Sequence, residues 1–555
     1  MGEHPMSSTT PPGSGPARGD SGGQQPPQDY VQQGYEPAQP KRRTGLVIGV
    51  VAGVVAAVGL PLGAFAVYNA LSGGGTQPHD ALPSDVLAYA RIDVDPSASQ
   101  KLEALRFLDK FPGFEDATGI DDPRDDVREA MFDAVKETSG CDLDFKDDVD
   151  PWLGERLGVG VFSPTDGEQQ PGVAVAIQVK DENAAKKGIK DLIACGEKAE
   201  GESAAKDAGW AYFNEYLIVA ETQDLADGYA KAAEKQPLAD DKTFTADMDQ
   251  LGEQGVASVW FDGQGLMDAF GDLAGMGALD PSMAADGAKV TEQLEKAVQQ
   301  SYRSGAVAFR FDEDYAEVAA VVNGDGYQVL EDAGTAAVDL PDSTALAIAV
   351  ADGDRHVDKQ WDNILEMVGN GQDPEVLLEQ VEAETGLTLP DDLKTLLGQN
   401  FALGLDAEGL TDLMQSGDPT ALRLGARVQT DADDFAALVE TVQTLATKGG
   451  VPLELAQEEI DGGVVVASNR DYAKTLAEGG DLGDTDKFTR AVKDASKAQT
   501  VMYVDFDALE PVLEQSLGGA GGGPVIENLK PLEAFGVSGT IKDGSAETTL
   551  RLTVK

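Results

Sequence analysis

The longest apolar run in the chain extends from Gly45 to Leu71, and no charged residue occurs between Arg43 and Asp80. A helix needs about 20 apolar residues to cross a hydrocarbon core about 30 Å thick. The run therefore predicts one transmembrane helix over residues 44–71. The alternative is a cleaved signal peptide, but its apolar region typically has about 7–15 residues, and this run is longer, so a retained anchor is favoured.

The residues on either side of this run predict its orientation. Residues 1–43 are rich in Pro, Gly and Gln without apolar periodicity, which predicts a disordered tail. Lys41, Arg42 and Arg43 lie directly before the run, and basic residues beside a spanning helix stay on the cytoplasmic side. We therefore expect a single-pass cell-membrane protein with a cytoplasmic N-terminus, a Gly-rich tether over residues 72–80, and the bulk of the chain extracytoplasmic.

The remainder of the chain repeats one pattern of apolar strands and amphipathic helices. Leu-Pro precedes a strand-like run near the start of each half, at Leu82 and at Leu340. Three further pairs of motifs lie 244 positions apart: Asp147-Asp148 with Asp391-Asp392, Leu153-Gly154 with Leu397-Gly398, and Phe244-Thr245 with Phe488-Thr489. Ordered matches at a constant offset indicate a tandem duplication. We expect two homologous modules, at residues 81–330 and 331–555.

Within each half the strands alternate apolar and polar positions. In the first strand, Ala88, Ala90 and Ile92 share one face. Alternation with one wet face is typical of an antiparallel sheet, and amphipathic segments at residues 181–194 and 433–446 are expected to cover the other face. The fold class is therefore α+β, with each module an antiparallel, curved sheet covered by helices.

The charge of the chain restricts its partners. The formal net charge is −56, and the charges of residues 1–43 cancel, so the acidic excess lies in the part predicted to be outside. Such a charge repels phosphate groups, which argues against nucleic acid and anionic lipid head groups as direct partners. Membrane contact is expected through the single helix, and an envelope protein or a lipid-like ligand is the expected partner.

Residues with catalytic or metal-binding chemistry are scarce. The three histidines are His4 in the tail, His79 in the tether and His356 after a strand, and none has a nucleophile in a recognisable motif. The Asp-rich run before Trp152 fails the calcium-loop template, because Asp147 replaces the sixth-position Gly and Leu153 the twelfth-position Glu. We expect Asp147 and Asp148 to act in helix capping, and we expect no catalytic residue, metal or cofactor.

Two Gly-rich segments, Gly271 to Pro281 and Gly518 to Pro524, lack the Gly-Lys-[Ser/Thr] of a phosphate-binding loop and are interpreted as flexible loops. Cys141 and Cys195 are the only cysteines of the chain, and both lie in the predicted extracytoplasmic part. An oxidising compartment permits a disulfide between them, and this is our prediction. The alternative is two buried free cysteines that behave as small hydrophobic residues.

The Leu-Pro starts, the Asp-Asp and Leu-Gly elements, the Phe-Thr helix and the single anchor after a Pro/Gly/Gln-rich tail resemble the bacterial membrane-anchored DUF3352 family. The resemblance covers roughly residues 81–555. The family has no established biochemical activity, so the resemblance implies an architecture and no mechanism. The Ala/Gly/Asp/Val-rich, Lys-poor composition suggests a high-GC, actinobacterial genome.

Three function classes remain. The favoured one is a non-enzymatic binding or scaffold protein of the cell envelope. The alternative is a carrier or sensor of an apolar, lipid-like ligand held by the curved sheets, with an apolar pocket formed by Phe244, Trp260, Phe309 and Phe488. A hydrolase that uses paired carboxylates is a third class, but the abundance of Asp and Glu gives no spacing to support it.

Overall fold

A computed structural model shows the architecture of the chain. It describes residues 75–93, 98–113, 128–129, 132, 136, 143–164, 171–200, 208–267, 303–327, 334–369, 373–450, 453–517, 523–542 and 544–555. The predicted tail and the predicted transmembrane segment at 44–71 lie outside these residues. Within the described ranges, no helix is both long enough and apolar enough to cross a bilayer.

The described strands are short runs rich in Val, Ala, Leu and Ile, as the alternating pattern predicts. Their bounds are β1 Ala88–Asp93, β2 Leu153–Phe162, β3 Gly172–Val179, β4 Gly209–Phe213, β5 Tyr216–Ala220, β6 Ala257–Asp262, β7 Ser304–Phe311, β8 Tyr315–Asn323, β9 Thr344–Ala351, β10 Asn400–Asp406, β11 Leu424–Gln429, β12 Ala456–Ile460, β13 Gly463–Ala467, β14 Thr500–Asp505, β15 Leu532–Lys542 and β16 Ser545–Val554.

All these strands belong to one sheet, in the order β12-β13-β11-β10-β9-β14-β15-β16-β8-β7-β6-β1-β2-β3-β5-β4. Each neighbouring pair is antiparallel. Strands β1 to β8 fill one half of the sheet and β9 to β16 the other, and β8 pairs with β16 where the halves meet. The predicted α+β class with antiparallel pairing is confirmed.

The described α-helices lie between the strands. Their bounds are α1 Ala98–Asp109, α2 Glu182–Glu200, α3 Gln223–Lys235, α4 Lys242–Leu251, α5 Gly353–Gly369, α6 Pro374–Thr385, α7 Asp391–Leu397, α8 Ala407–Ser416, α9 Ala432–Lys448, α10 Arg470–Glu478, α11 Asp486–Ala491, α12 Phe506–Leu517 and α13 Gly523–Leu529.

Short polar side chains begin many of these helices. Asp241 starts α4 by accepting hydrogen bonds from the backbone N–H groups of Thr243 and Phe244. Asp431 starts α9 in the same way, through Asp433 and Asp434. These bonds satisfy N–H groups that have no partner within the helix. The Asp-rich sequence thus supplies capping residues where the strands turn into helices.

Helices pack on both faces of the sheet, which differs from the expectation that they cover one face. On the face that we call the closed face, α3 packs against β4 and β5, and α4 packs against β6, β7 and β8; Tyr229, Phe244 and Met248 belong to the core beneath them. In the other half, α10 packs against β11, β12 and β13, and α11 packs against β15 and β16; Leu476 and Phe488 belong to the core there. On the opposite face, α2 and α9 cover outer strands of the two halves.

The first strand shows the predicted alternation. Ala88, Ala90 and Ile92 share one face, as expected, and Ala88 and Ala90 are only half-buried there. The alternate residues Arg91 and Asp93 lie on the closed face and are 1% and 0% exposed. The charges are tolerated there because Arg91 Nη2 lies 2.7 Å from Asp93 Oδ2, so the charges compensate each other.

Candidate functional site

Apolar side chains form continuous rows across the face opposite the closed face. Residues that pair directly in neighbouring antiparallel strands point to the same side of the sheet. One row runs through Leu403, Ile348, Met502, Val537, Leu550, Val318, Phe309, Ala257, Ile92 and Leu157. A second runs through Leu405, Leu346, Val504, Phe535, Leu552, Ala316 and Phe311.

A third row flanks the first row on the side opposite the second row. It consists of Phe401, Val350, Thr500, Gly539, Thr548, Ala320, Val307, Val259, Ala90 and Val159. We call the side chains of these three rows the apolar floor. None of them is charged, although the whole protein carries a net charge of −56.

The centre of the apolar floor is not fully buried by the rest of the protein. Ile348 and Met502 are direct neighbours on β9 and β14, and they are 40% and 39% exposed. Val537, Leu550 and Val318, which continue the same row, are half-buried. A contiguous, partly exposed apolar surface on a folded protein marks an interaction site.

Helices and loops border the floor. Phe107 and Leu108 of α1 pack beside Phe311 and Val159 in the half formed by β1 to β8. Phe435 of α9 packs on the outer strands of the other half. The central strands β9, β14, β15, β16, β8 and β7 span five strand spacings, or about 24 Å at roughly 4.8 Å per spacing. The floor is thus an elongated apolar surface with helical walls.

Buried charged side chains lie on the closed face and not on the apolar floor. At the junction of the two halves, the Glu317 carboxylate accepts hydrogen bonds from Arg310 Nη1 at 2.8 Å and from Arg551 Nε at 2.9 Å. Burial raises the pKa of Glu317, but the hydrogen bonds from Arg551 and Arg310 more than offset this, so the pKa lies below its usual value. Arg551 also lies 4.3 Å from the centroid of the Tyr315 ring.

A second buried ion cluster holds the chain where it enters the fold. Arg156 Nε lies 3.1 Å from Asp93 Oδ2, which also binds Arg91. The same arginines hold the preceding segment, because Arg156 Nη1 donates to the Thr76 carbonyl oxygen at 3.1 Å and Arg91 Nε to Gln77 Oε1 at 3.1 Å. Residues 76–80, assigned to the tether from the sequence, therefore make specific contacts with the sheet.

His79 lies in this segment, in contact with Tyr89 and Phe244. Desolvation by burial lowers the pKa of His79 to about 4, although Asp80 acts in the opposite direction. The unfolded chain binds this proton near pH 6.5 and the folded chain only near pH 4. Stability should therefore be lost as the pH falls from about 6.5 to about 4, by up to about 3 kcal/mol.

The His79→Phe variant should lack this contribution. We expect urea unfolding of the wild-type chain to show a larger loss of stability between pH 7.5 and pH 4.5 than unfolding of the variant does, by about 2–3 kcal/mol. The other titrating groups are common to both proteins, so the difference isolates His79. An equal loss in the two proteins would contradict the assignment of the low pKa to this ring.

The four aromatic residues proposed from the sequence as an apolar pocket lie in three different clusters. Phe244 and Trp260 pack together on the closed face, with ring centroids 5.5 Å apart. Phe488 packs against Tyr503 on the closed face of the other half. Phe309 alone points to the apolar floor. The structure thus brings two of the four together and does not unite the set.

Several other residues singled out in the sequence lie outside the described residues. Cys141 lies outside them, and the side chain of Cys195 is not described, so the disulfide between these two residues stays a prediction. Lys41, Arg42 and Arg43, the segment 271–281 and residues 518–522 also lie outside. His356 lies on α5, which follows β9, and burial lowers its pKa.

The Asp pairs have structural contacts. The Asp148 carboxylate accepts a hydrogen bond from the Asp144 N–H, and the Asp392 carboxylate accepts one from the Thr388 N–H, four residues back in each case. Asp144, which the sequence reasoning did not select, caps the following turn at Lys146. Among the described residues, no group of three or more His, Cys, Asp or Glu side chains is arranged to hold a metal ion.

Sequence reasoning did not identify the apolar floor. A signal was present, because every second residue of β15 from Phe535 to Ile541 is apolar or Gly, and the matching positions of β9 and β14 lack charge as well. Alternation separates the two faces of a strand but does not reveal which face is partly open.

Comparison with known proteins identifies one match, to a protein family. A family model described as "Protein of unknown function (DUF3352)" matches residues 46–554. No curated protein and no solved structure matches the chain.

Proposed function

The chain belongs to the DUF3352 family of proteins of unknown function, and from this premise we propose that it is a membrane-anchored, non-enzymatic envelope protein that binds a lipid-like ligand. The acyl chain of the ligand lies on the apolar floor. The observation that carries this proposal is the unbroken, uncharged row from Ile348 to Phe309, which is only partly covered. In an antiparallel sheet, a face that is open to water is usually polar.

The dimensions of the floor fit an acyl chain. One leaflet contributes about half of a hydrocarbon core of about 30 Å, and the central strands span about 24 Å. An acyl chain from one leaflet can therefore lie along the row within the floor. The absence of charged side chains from the rows favours this apolar occupant over a peptide, whose backbone polar groups need partners.

The proposal includes the anchor and the duplication. Residues 44–71 form the single membrane span, with the N-terminus in the cytoplasm and the sheet outside. The contacts of Thr76 and Gln77 support a short connection between the span and the fold, so the floor lies within reach of membrane lipids.

The two tandem modules are supported by the order of the strands. From the junction outward, the orders are β8-β7-β6-β1-β2-β3-β5-β4 and β16-β15-β14-β9-β10-β11-β13-β12, which is the same order with numbers raised by eight. The hydrogen bonds of Asp148 and Asp392 correspond in the same way. Residues 81–330 and 331–555 are thus proposed as copies that together build the floor.

Native mass spectrometry of the full chain, purified from its own envelope fraction, tests this function. We expect a stoichiometric adduct of lipid mass that organic extraction removes. Val537→Glu places a charge in the centre of the floor and should abolish the adduct. Val376→Glu makes the same change at a residue of α6 that is 60% exposed, and it should leave the adduct unchanged.

Two results would overturn the proposal. One is a wild-type chain without any adduct, which would favour a scaffold that binds a protein, and crosslinking in cells would then identify that protein. The other is an adduct that survives in the Val537→Glu variant, because the ligand would then lie elsewhere. Circular dichroism of both variants verifies that the added carboxylate leaves the fold intact.

A further inference from the structure

A cleft with both apolar and polar lining residues lies along the third row of the apolar floor. Its volume is about 220 Å³, and Val350, Thr500, Gly539 and Thr548, four successive members of the third row, line it. The neighbouring row, which includes Met502 and Val537, is entirely apolar. From the first row to the adjoining third row, the surface of the sheet thus gains hydroxyl groups. A binding site for an amphiphile would show the same change from apolar to polar.

Among the described residues, several polar side chains in this cleft have no side-chain hydrogen-bond partner. The hydroxyl groups of Thr500 and Thr548 and the ring of His356 have no side-chain hydrogen bond among the described residues. Gln499 Oε1 accepts from the Ile541 N–H at 2.5 Å, which leaves the amide nitrogen available. Burial lowers the pKa of His356, with Asp352 opposing, so the ring is neutral near pH 7 and both donates and accepts.

The charge of the lining disfavours anions. Among the described residues that line the cleft there is no Lys or Arg, and the one charged side chain is Glu547. Its carboxylate binds Lys542 at 2.6 Å and Gln250 at 3.2 Å. A phosphate or carboxylate head group would lie beside Glu547 and would compete with it for Lys542, in a protein with a net charge of −56.

We propose that this cleft binds the small, uncharged, hydroxyl-bearing head group of the ligand whose acyl chain lies on the apolar floor. This inference rests on the proposed function. The hydroxyl groups of the ligand exchange hydrogen bonds with Thr500, Thr548, Gln499 and His356. The volume of the cleft agrees with a small head group. It is smaller than the roughly 300–1,000 Å³ of sites for drug-sized ligands, and it fits a head group such as glyceryl.

Photolabelling of the full chain in nanodiscs tests the inference. Three probes carry the same diazirine-bearing acyl chain and differ only in the head group, which is glyceryl, carboxylate or phosphoglycerol. At equal free concentrations, we expect the glyceryl probe to label peptides of β9, β14, β15 and β16 about tenfold more than either anionic probe.

The double variant Thr500→Val/Thr548→Val removes two hydroxyl groups and keeps the β-branched shape. It should lower labelling by the glyceryl probe about tenfold, and labelling by a probe with the acyl chain alone should not change. Thr549→Val is the matched control, since Thr549 pairs with Ala319 and faces the opposite side of the sheet.

The outcomes separate the two proposals. Equal or stronger labelling by the anionic probes, or an unchanged head-group preference in the double variant, would overturn the head-group inference and leave the acyl site standing. If no probe labels the floor, or if the floor crosslinks to a protein instead, the proposed function itself fails.

Discussion

Replacement of Glu317 by alanine is expected to lower the free energy of unfolding by about 3–5 kcal/mol, because it leaves two arginines without their shared partner. The Glu317 side chain is 4% exposed, and that of Arg551 is 14% exposed. The hydrogen bond from Arg551 crosses the β8–β16 pair, where the two halves of the sheet meet. Urea unfolding of the full chain in detergent, followed by tryptophan fluorescence, measures the loss.

Glu547→Ala is the matched control, because Glu547 lies on β16, which pairs with the strand β8 that carries Glu317. The Glu547 side chain is 33% exposed, and its partner Lys542 is 55% exposed, so water screens this pair. The expected loss is about 0–1 kcal/mol. If Glu317→Ala cost no more than Glu547→Ala, the buried cluster would not hold the junction together.

Affinity for a monoacylglycerol is expected to rise steeply with chain length. Each methylene that moves from water to the floor contributes about 0.8 kcal/mol, which is about a fourfold change in Kd. Lengthening a dodecanoyl chain to a hexadecanoyl chain should therefore lower Kd on the order of 200-fold. Competition against the glyceryl photoprobe, with the free aqueous concentration measured by dialysis, gives these values.

The floor variants supply the controls. Val376→Glu should keep the full dependence on chain length, because Val376 is 60% exposed and belongs to none of the three rows. Val537→Glu should weaken the binding of the longer chain most strongly, since the added charge meets the acyl chain in the centre of the row. A Kd that is independent of chain length in the wild-type protein would show that the ligand is held by its head group alone.

Local features of the fold followed from the sequence because they depend on near neighbours. Alternation of apolar residues, as in Ala88, Ala90 and Ile92, determines which residues share a face, since side chains alternate along any strand. Antiparallel pairing followed from this alternation. The Asp residues before helices predicted caps, although the structure assigns the cap before Lys146 to Asp144, and not to Asp147 or Asp148.

The candidate site could not be predicted in the same way. Ile348, Met502 and the hairpin pair Val537 and Leu550 come from three separate parts of the chain and become neighbours only through the register of four strands. The sequence also pointed to large aromatic residues as the lining of a pocket. Phe244, however, packs on the closed face, because its helix α4 covers that side.

The sequence by itself determined the apolar run at 44–71, the acidic character of the rest, the antiparallel α+β class and the ordered repeat of motifs, because each depends on composition or on spacing along the chain. Only the tertiary structure decided which sheet face is closed. Arg91, Asp93 and Glu317 are buried there because partners on the same strand or on neighbouring strands of the sheet neutralise them, and the aliphatic rows lie on the face that stays partly open.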